Sequence, residues 1–197
     1  NSNGKVQIAW TSEFDSYNRR GNTNFIVGNV TGEGWDGECV SYIWIKDVIG
    51  LPKGSSIISA KLKLPMTLHG NTGSGLVVAA KQIKENWDET TLTPLNVPEV
   101  FDTVLDYMSV TSSDDEISLD LTALYYNWLN SSPIPNCGVQ VSQLYDTYCY
   151  ASCTGYNNNN GPYMEFDIVN QNGMANSSSS RKVSVGRAGD IALNDYT

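Results

Sequence analysis

The stretch Val77-Val78-Ala79-Ala80-Lys81-Gln82-Ile83-Lys84-Glu85-Asn86-Trp87-Asp88-Glu89-Thr90-Thr91-Leu92-Thr93 decides how this chain is read. Leu76 to Glu85 is a strand-like run of apolar and β-compatible residues. It ends in an aromatic-acidic turn, Trp87-Asp88-Glu89, and passes into a Thr-rich stretch. The same two-part grammar, a short strand then a turn, repeats on both sides.

Towards the N-terminus, Ile57 to Leu68 alternates, with Ile58, Ala60, Leu62, Leu64 and Met66 on one face and Ser59, Lys61 and Lys63 on the other. Residues 39–48 place Cys39, Ser41, Ile43 and Ile45 opposite Val40, Tyr42 and Trp44. Residues 5–11 read as a first strand, and Phe25-Ile26-Val27-Gly28 as a short one that glycine ends. Ser16 to Asn24 and the Gly-rich Thr31 to Glu38 are loops, and Leu51-Pro52-Lys53-Gly54 is a turn.

Towards the C-terminus, Thr90 to Val110 carries Pro94 and Pro98 and predicts a long irregular excursion with a short helical turn. Ile117 to Leu121 is a strand running into a helix over Thr122 to Asn130. Leu121, Leu124, Tyr125 and Trp128 fall at i, i+3, i+4 and i+7, one apolar stripe. Cys137 to Leu144 and Thr147 to Cys153 are candidates for a strand pair, and Pro162 to Val169 is a closing strand. Asn170 to Ser180 reads as a linker and residues 181–197 as a tail. About nine short strands at this spacing predict an all-β fold: a two-sheet antiparallel β-sandwich of jelly-roll type with one short helix.

The chain has 197 residues, enough for one domain with appendages, and its 40% apolar content supports a sizeable core. Its 12 Lys and Arg are scattered against 21 Asp and Glu, a net charge of −9, which argues against nucleic acid as a partner. No apolar run is long enough to span a bilayer as a helix, so membrane insertion is not expected. The four cysteines, Cys39, Cys137, Cys149 and Cys153, admit three pairings. Cys149 and Cys153 would bridge only across a turn, because four extended residues cover roughly 13 Å. The alternatives are small buried hydrophobes and, less in keeping with the single His69, a zinc site.

The ordered pieces resemble the DNRLRE domain of large bacterial and archaeal surface proteins, also classed as a carbohydrate-binding module family. The resemblance rests on Asn22 to Gly28; Tyr42-Ile43-Trp44-Ile45 followed by Leu51 to Leu64; Trp87 to Thr93; Leu119-Asp120-Leu121-Thr122 with Trp128; Asn136-Cys137-Gly138-Val139; and Pro162-Tyr163-Met164-Glu165-Phe166. Their order, over roughly residues 5–169, is more specific than any one piece. Ser41-Tyr42 and Lys46-Asp47 depart from the pattern, which often has a basic residue before the third strand and Phe-Asp after it. The tail Arg181 to Thr197 looks like the start of an RHS/YD-repeat region. The resemblance implies residues 1–169 as a sandwich, 170–180 as linker and 181–197 as the tail. The partners it implies are a polysaccharide or surface glycan and the remainder of a larger RHS-type polypeptide. The location it implies is secreted or at the bacterial cell surface.

Trp35 stands among Glu33, Asp36 and Glu38 in a Gly-rich loop, where burial is not expected, and is a candidate sugar-stacking contact. A second aromatic group comprises Tyr145, Tyr148, Tyr150 and Tyr156, with Tyr148 and Tyr150 on one face of an alternating strand. Trp87 is read chiefly as packing and Trp128 as core. Of the acidic clusters, Asp36 and Glu38 are the best candidates for a structural calcium ion, although none has EF-hand spacing. Catalytic signatures are lacking: His69 has no nucleophile elbow near it, and no Gly-rich phosphate loop occurs. The expectation is a non-catalytic carbohydrate-binding or adhesion module, with a structural or docking domain of an RHS-type protein, without a small ligand, as the alternative.

Overall fold

A computed structural model describes residues 6–21, 23–32, 37–45, 55–70, 75–129, 135–155, 160–170 and 181–185. Its strands are β1 Val6–Ser12, β2 Arg19–Arg20, β3 Asn24–Val30, β4 Gly37–Ile45, β5 Ser55–Gly70 and β6 Leu76–Ile83. They continue with β7 Val100–Val110, β8 Glu116–Asp120, β9 Val139–Gln143, β10 Tyr150–Thr154, β11 Tyr163–Asn170 and β12 Arg181–Val185, and the helix α1 is Thr122–Leu129. The strands are hydrogen-bonded in the order β12-β11-β5-β10-β3-β4-β9-β6-β7, with β1 added to β4, β2 to β1 and β8 to β5. Every pairing among the described residues is antiparallel.

The curl of this sheet comes from β5. Its 16 residues would span roughly 50 Å if straight. The first part, Ser55 to Lys63, pairs with β11, whereas Met66 to Gly70 pairs with β10. Register breaks opposite both partners, and Pro65 between them, add twist. The sheet therefore doubles over a main core, in which Phe25, Ile43, Leu62, Leu64, Leu76, Ile117, Leu119 and Phe166 are all buried, and a smaller cluster of Ala9, Tyr42, Ile83, Leu92 and Cys137 lies apart from it. Among the described residues the result is the expected all-β, sandwich-like fold with one short helix.

The helix begins as its stripe requires. The Asp120 carboxylate accepts the Thr122 N–H (2.8 Å), one of the donors that a helix start leaves without a partner. Thr122 Oγ1 in turn accepts the Ala60 N–H of β5 (2.9 Å). Leu121, Leu124 and Tyr125 are buried, and the Tyr125 ring meets Phe166 edge-on at 5.3 Å and Trp128 at 4.9 Å.

Several expectations are corrected. The excursion predicted over 90–110 contains β7, eleven residues paired with β6. Register shifts at Lys81 break the regular pairing, and β7 is half-exposed along most of its length, so no period of two shows in its sequence. Ile58 does not share the face of Ala60. Opposite β11, Asp167 aligns with Ser59 and Ile168 with Ile57, leaving Ile58 as the extra residue of a bulge; it is 54% exposed while Ile57 packs on the core. The segments around β9 and β10 are not each other's partners: β9 lies between β4 and β6, and β10 between β3 and β5. Gly28 does not end its strand, which continues to Val30. Apart from these corrections, residues 181–185 of the tail form β12 and pair with β11.

All four cysteines are free and buried. Burial pushes the Cys39 thiol up to about 12 and raises those of Cys137 and Cys153. They behave as small hydrophobes rather than as nucleophiles. Among the described residues no helix is long and apolar enough to cross a membrane.

Candidate functional site

Three chain segments meet where β3 and β4 pair through Gly28 with Cys39, Asn29 with Glu38 and Val30 with Gly37. The exit of β1 is fastened here by the Glu13 N–H, which donates to the Glu38 carbonyl (3.0 Å), and by a tight turn in which Asp15 N–H donates to Ser12 O (3.1 Å). Phe14 is thereby laid against Gly37. A Cβ on Gly37 would lie 2.8 Å from its ring, and Gly37 has φ +109°, so glycine there makes room for the aromatic. The third segment, residues 143–149, is held by Leu144 N–H to Val77 O (2.8 Å) and by Asn29 N–H to Cys149 O (2.7 Å).

Between them is an open cleft of about 580 Å³. Its aromatic lining is Phe14, Tyr145 and Tyr148, which are 74%, 62% and 70% exposed. Its polar lining includes Asn29, Thr31, Gln143 and three carboxylates, Glu13, Glu38 and Asp146; no described Lys or Arg lines it. Burial, then the charges of Glu13 and Asp146, hold the Glu38 carboxyl above the usual carboxylate range, against a smaller opposing pull from Lys81.

That shift fixes the sign of a stability effect. A carboxyl that binds its proton more tightly when folded is stabilising while protonated, and this contribution is lost as pH rises from the unfolded value of 4.5 through the higher folded one. Glu38→Gln is therefore expected to raise Tm at pH 7 by about 1–3 °C, the size that solvent-screened charge effects produce in a chain of this length. The gain should vanish below about pH 4.5, where both carboxyls are neutral. Melting curves at pH 4 and 7 check this; a Tm that falls at pH 7 contradicts the repulsion.

The sequence-derived candidates are distributed as follows. Glu38 and Tyr148 line the cleft, with Tyr145 beside them. Trp35, Asp36 and Tyr156 lie outside the described residues. Tyr150 does not share an exposed face with Tyr148: it starts β10, is half-buried and packs on the core and over Gly70, whereas Tyr148 precedes the strand. The three carboxylates of the cleft do not converge, and among the described residues no group of three or more His, Cys, Asp or Glu is placed to hold a metal ion. Elsewhere, Asp88 and Asp114 cap local turns by accepting the N–H groups of Thr90 (2.8 Å) and Thr111 (2.7 Å).

Trp87 is anchored as expected of a packing residue. Its Nε1–H donates to Cys137 O (2.9 Å), and its ring lies 6.2 Å from Tyr42 and 6.4 Å from Trp44. It also lines a second cleft, of about 460 Å³, with Asp88, Thr91, Asn96 and Pro98. Phe14, Glu13 and Asp146 were missed from sequence. Phe14 gave the signal already used for Trp35: a lone aromatic in a polar stretch, Ser12-Glu13-Phe14-Asp15-Ser16, just after a strand.

No protein-family model matches the chain, and no curated protein matches it significantly.

Proposed function

We propose that this chain is a non-catalytic carbohydrate-binding module, that its site is the cleft between β3, β4 and residues 143–148, and that it serves a larger secreted or cell-surface polypeptide. The observation that carries this reading is the exposure of Phe14, Tyr145 and Tyr148 together around one cleft. Single exposed aromatics are ordinary, but three lining one concavity beside amide and carboxylate groups match what a sugar ring offers: an apolar C–H face and an equatorial rim of hydroxyls. The resemblance of residues 5–169 to the DNRLRE sandwich supports the same reading.

A second reading, a docking or spacer domain of an RHS-type protein without a small ligand, is favoured by one observation. Arg181–Val185 adds a strand to the edge of β11, so the polypeptide beyond the sandwich is knit into its sheet.

A glycan-array screen separates the two, run with and without calcium and with Tyr148→Ala and Trp35→Ala variants. Binding by the parent chain that drops at least about tenfold in Tyr148→Ala, a loss of about 1.4 kcal/mol, is the expected result. Silence across a broad array contradicts it and favours the docking reading.

A further inference from the structure

We infer that the cleft selects sugars carrying free ammonium groups, that is, polymers of unacetylated amino sugars, over neutral sugars and over uronic acids. This rests on the carbohydrate reading above and names the ligand class for the same site. Glu13, Glu38 and Asp146 place three like charges on one concave surface. Among the described residues, ion pairs neutralise Asp15 with Arg19, Glu89 with Arg20, Glu116 with Lys63 and Glu99 with Lys84, but none reaches these three carboxylates. Lys81, on β6, pulls on Glu38 without lining the cleft. The aromatic residues of the same cleft reinforce the sign, because the π faces of Phe14, Tyr145 and Tyr148 attract cations and repel anions. A hexose with an ammonium group therefore finds both kinds of contact in the cleft: its C–H face on a ring, its charge near a carboxylate. A uronate brings a fourth negative charge into the same space and is rejected by repulsion. An N-acetylated sugar keeps the ring contact and loses the charge contact.

Calorimetric titration of the full chain at pH 6 and low salt tests this, with four probes: a β-1,4-linked glucosamine hexamer, its fully N-acetylated counterpart, a galacturonate hexamer and hexalysine. The glucosamine hexamer is expected to bind at least about tenfold tighter than the acetylated one, and the galacturonate not to bind. Glu38→Gln and Asp146→Asn, each conservative in shape, should bring the two hexamers within about threefold of each other, while Tyr148→Ala should weaken both. Equal or tighter binding of the acetylated hexamer overturns the charge selection and leaves the carbohydrate site standing. Equal binding of hexalysine overturns it too, since attraction of any polycation to the −9 chain would suffice. Failure of all three saccharides to bind overturns both readings.

Discussion

Gly28→Ala is expected to lower Tm by more than about 10 °C. Gly28 sits inside β3 at φ +115°, a conformation that costs an L-residue about 1–3 kcal/mol. A Cβ there would collide with the Cys149 carbonyl and lie 2.7 Å from Tyr150 Cα. Both obstacles are backbone and cannot swing aside as a flexible side chain would. Relief requires β3 and β10 to part, at the expense of the 2.7 Å bond from Asn29 N–H to Cys149 O. Strain, overpacking and the lost bond together come to about 4 kcal/mol or more, and each kcal/mol is worth about 2–4 °C in a chain of this size. Gly75→Ala is the control: φ is +86°, but nothing lies within 4 Å of the added Cβ, so only the strain of about 1 kcal/mol remains. Thermal melts of the two variants check the contrast. Equal, small losses contradict the close approach of β3 to β10, and with it one wall of the cleft.

Glu89→Ala is the second large effect, expected at about 3 kcal/mol. Glu89 is buried, at 6% exposure, and its Oε2 accepts the Ile8 N–H of β1 at 3.1 Å. Its Oε1 pairs with Arg20 Nη2 at 2.7 Å. Asn18 reinforces the joint by donating to the Glu89 and Leu92 carbonyls (2.9 and 2.6 Å). Truncation leaves a buried N–H without its acceptor, the larger part of the loss; the Arg20 pair contributes less, because that side chain is 40% exposed. Glu89→Gln keeps an acceptor and should lose about 1 kcal/mol. Urea unfolding at pH 7 gives both numbers; a Gln variant as weak as the Ala variant contradicts the assignment to the Ile8 N–H.

These two positions show what was legible in the sequence. Where register was regular, the pattern was plain: Cys39, Ser41, Ile43 and Ile45 are buried as the alternation of β4 requires, with Tyr42 of the opposite face buried in a second cluster, and the stripe of α1 packs as drawn. Ser41 shows why a polar residue is tolerated in that row, since its Oγ–H donates to the Ile26 carbonyl at 2.7 Å. The pattern failed where the fold bends. The bulge at Ile58, the shifts beside Lys81 and the mid-strand Gly28 are features of pairing between segments far apart in the chain, and no local period encodes them. Glu89 was read as part of an acidic turn because its partners, Ile8 and Arg20, lie 81 and 69 residues away.

The candidate site was half legible for the same reason. Glu38 came from loop composition, which marks surfaces between strands, and Tyr148 from an aromatic group placed on an alternating strand. That they line one cleft with Glu13, Phe14 and Asp146 follows from three segments converging, a fact of topology rather than of any one loop. Tyr150 was grouped with Tyr148 on an assumed alternation, but the strand begins only at Tyr150, and the ring turns onto the core over Gly70.

The most direct test of the central claim is a backbone amide shift map of the ¹⁵N-labelled chain, titrated with the glucosamine hexamer and with its acetylated counterpart. The account predicts shifts confined to residues 13–14, 29–31, 37–38 and 143–148. No shift with either saccharide, or shifts centred on the Trp87–Asn96 cleft instead, would contradict it.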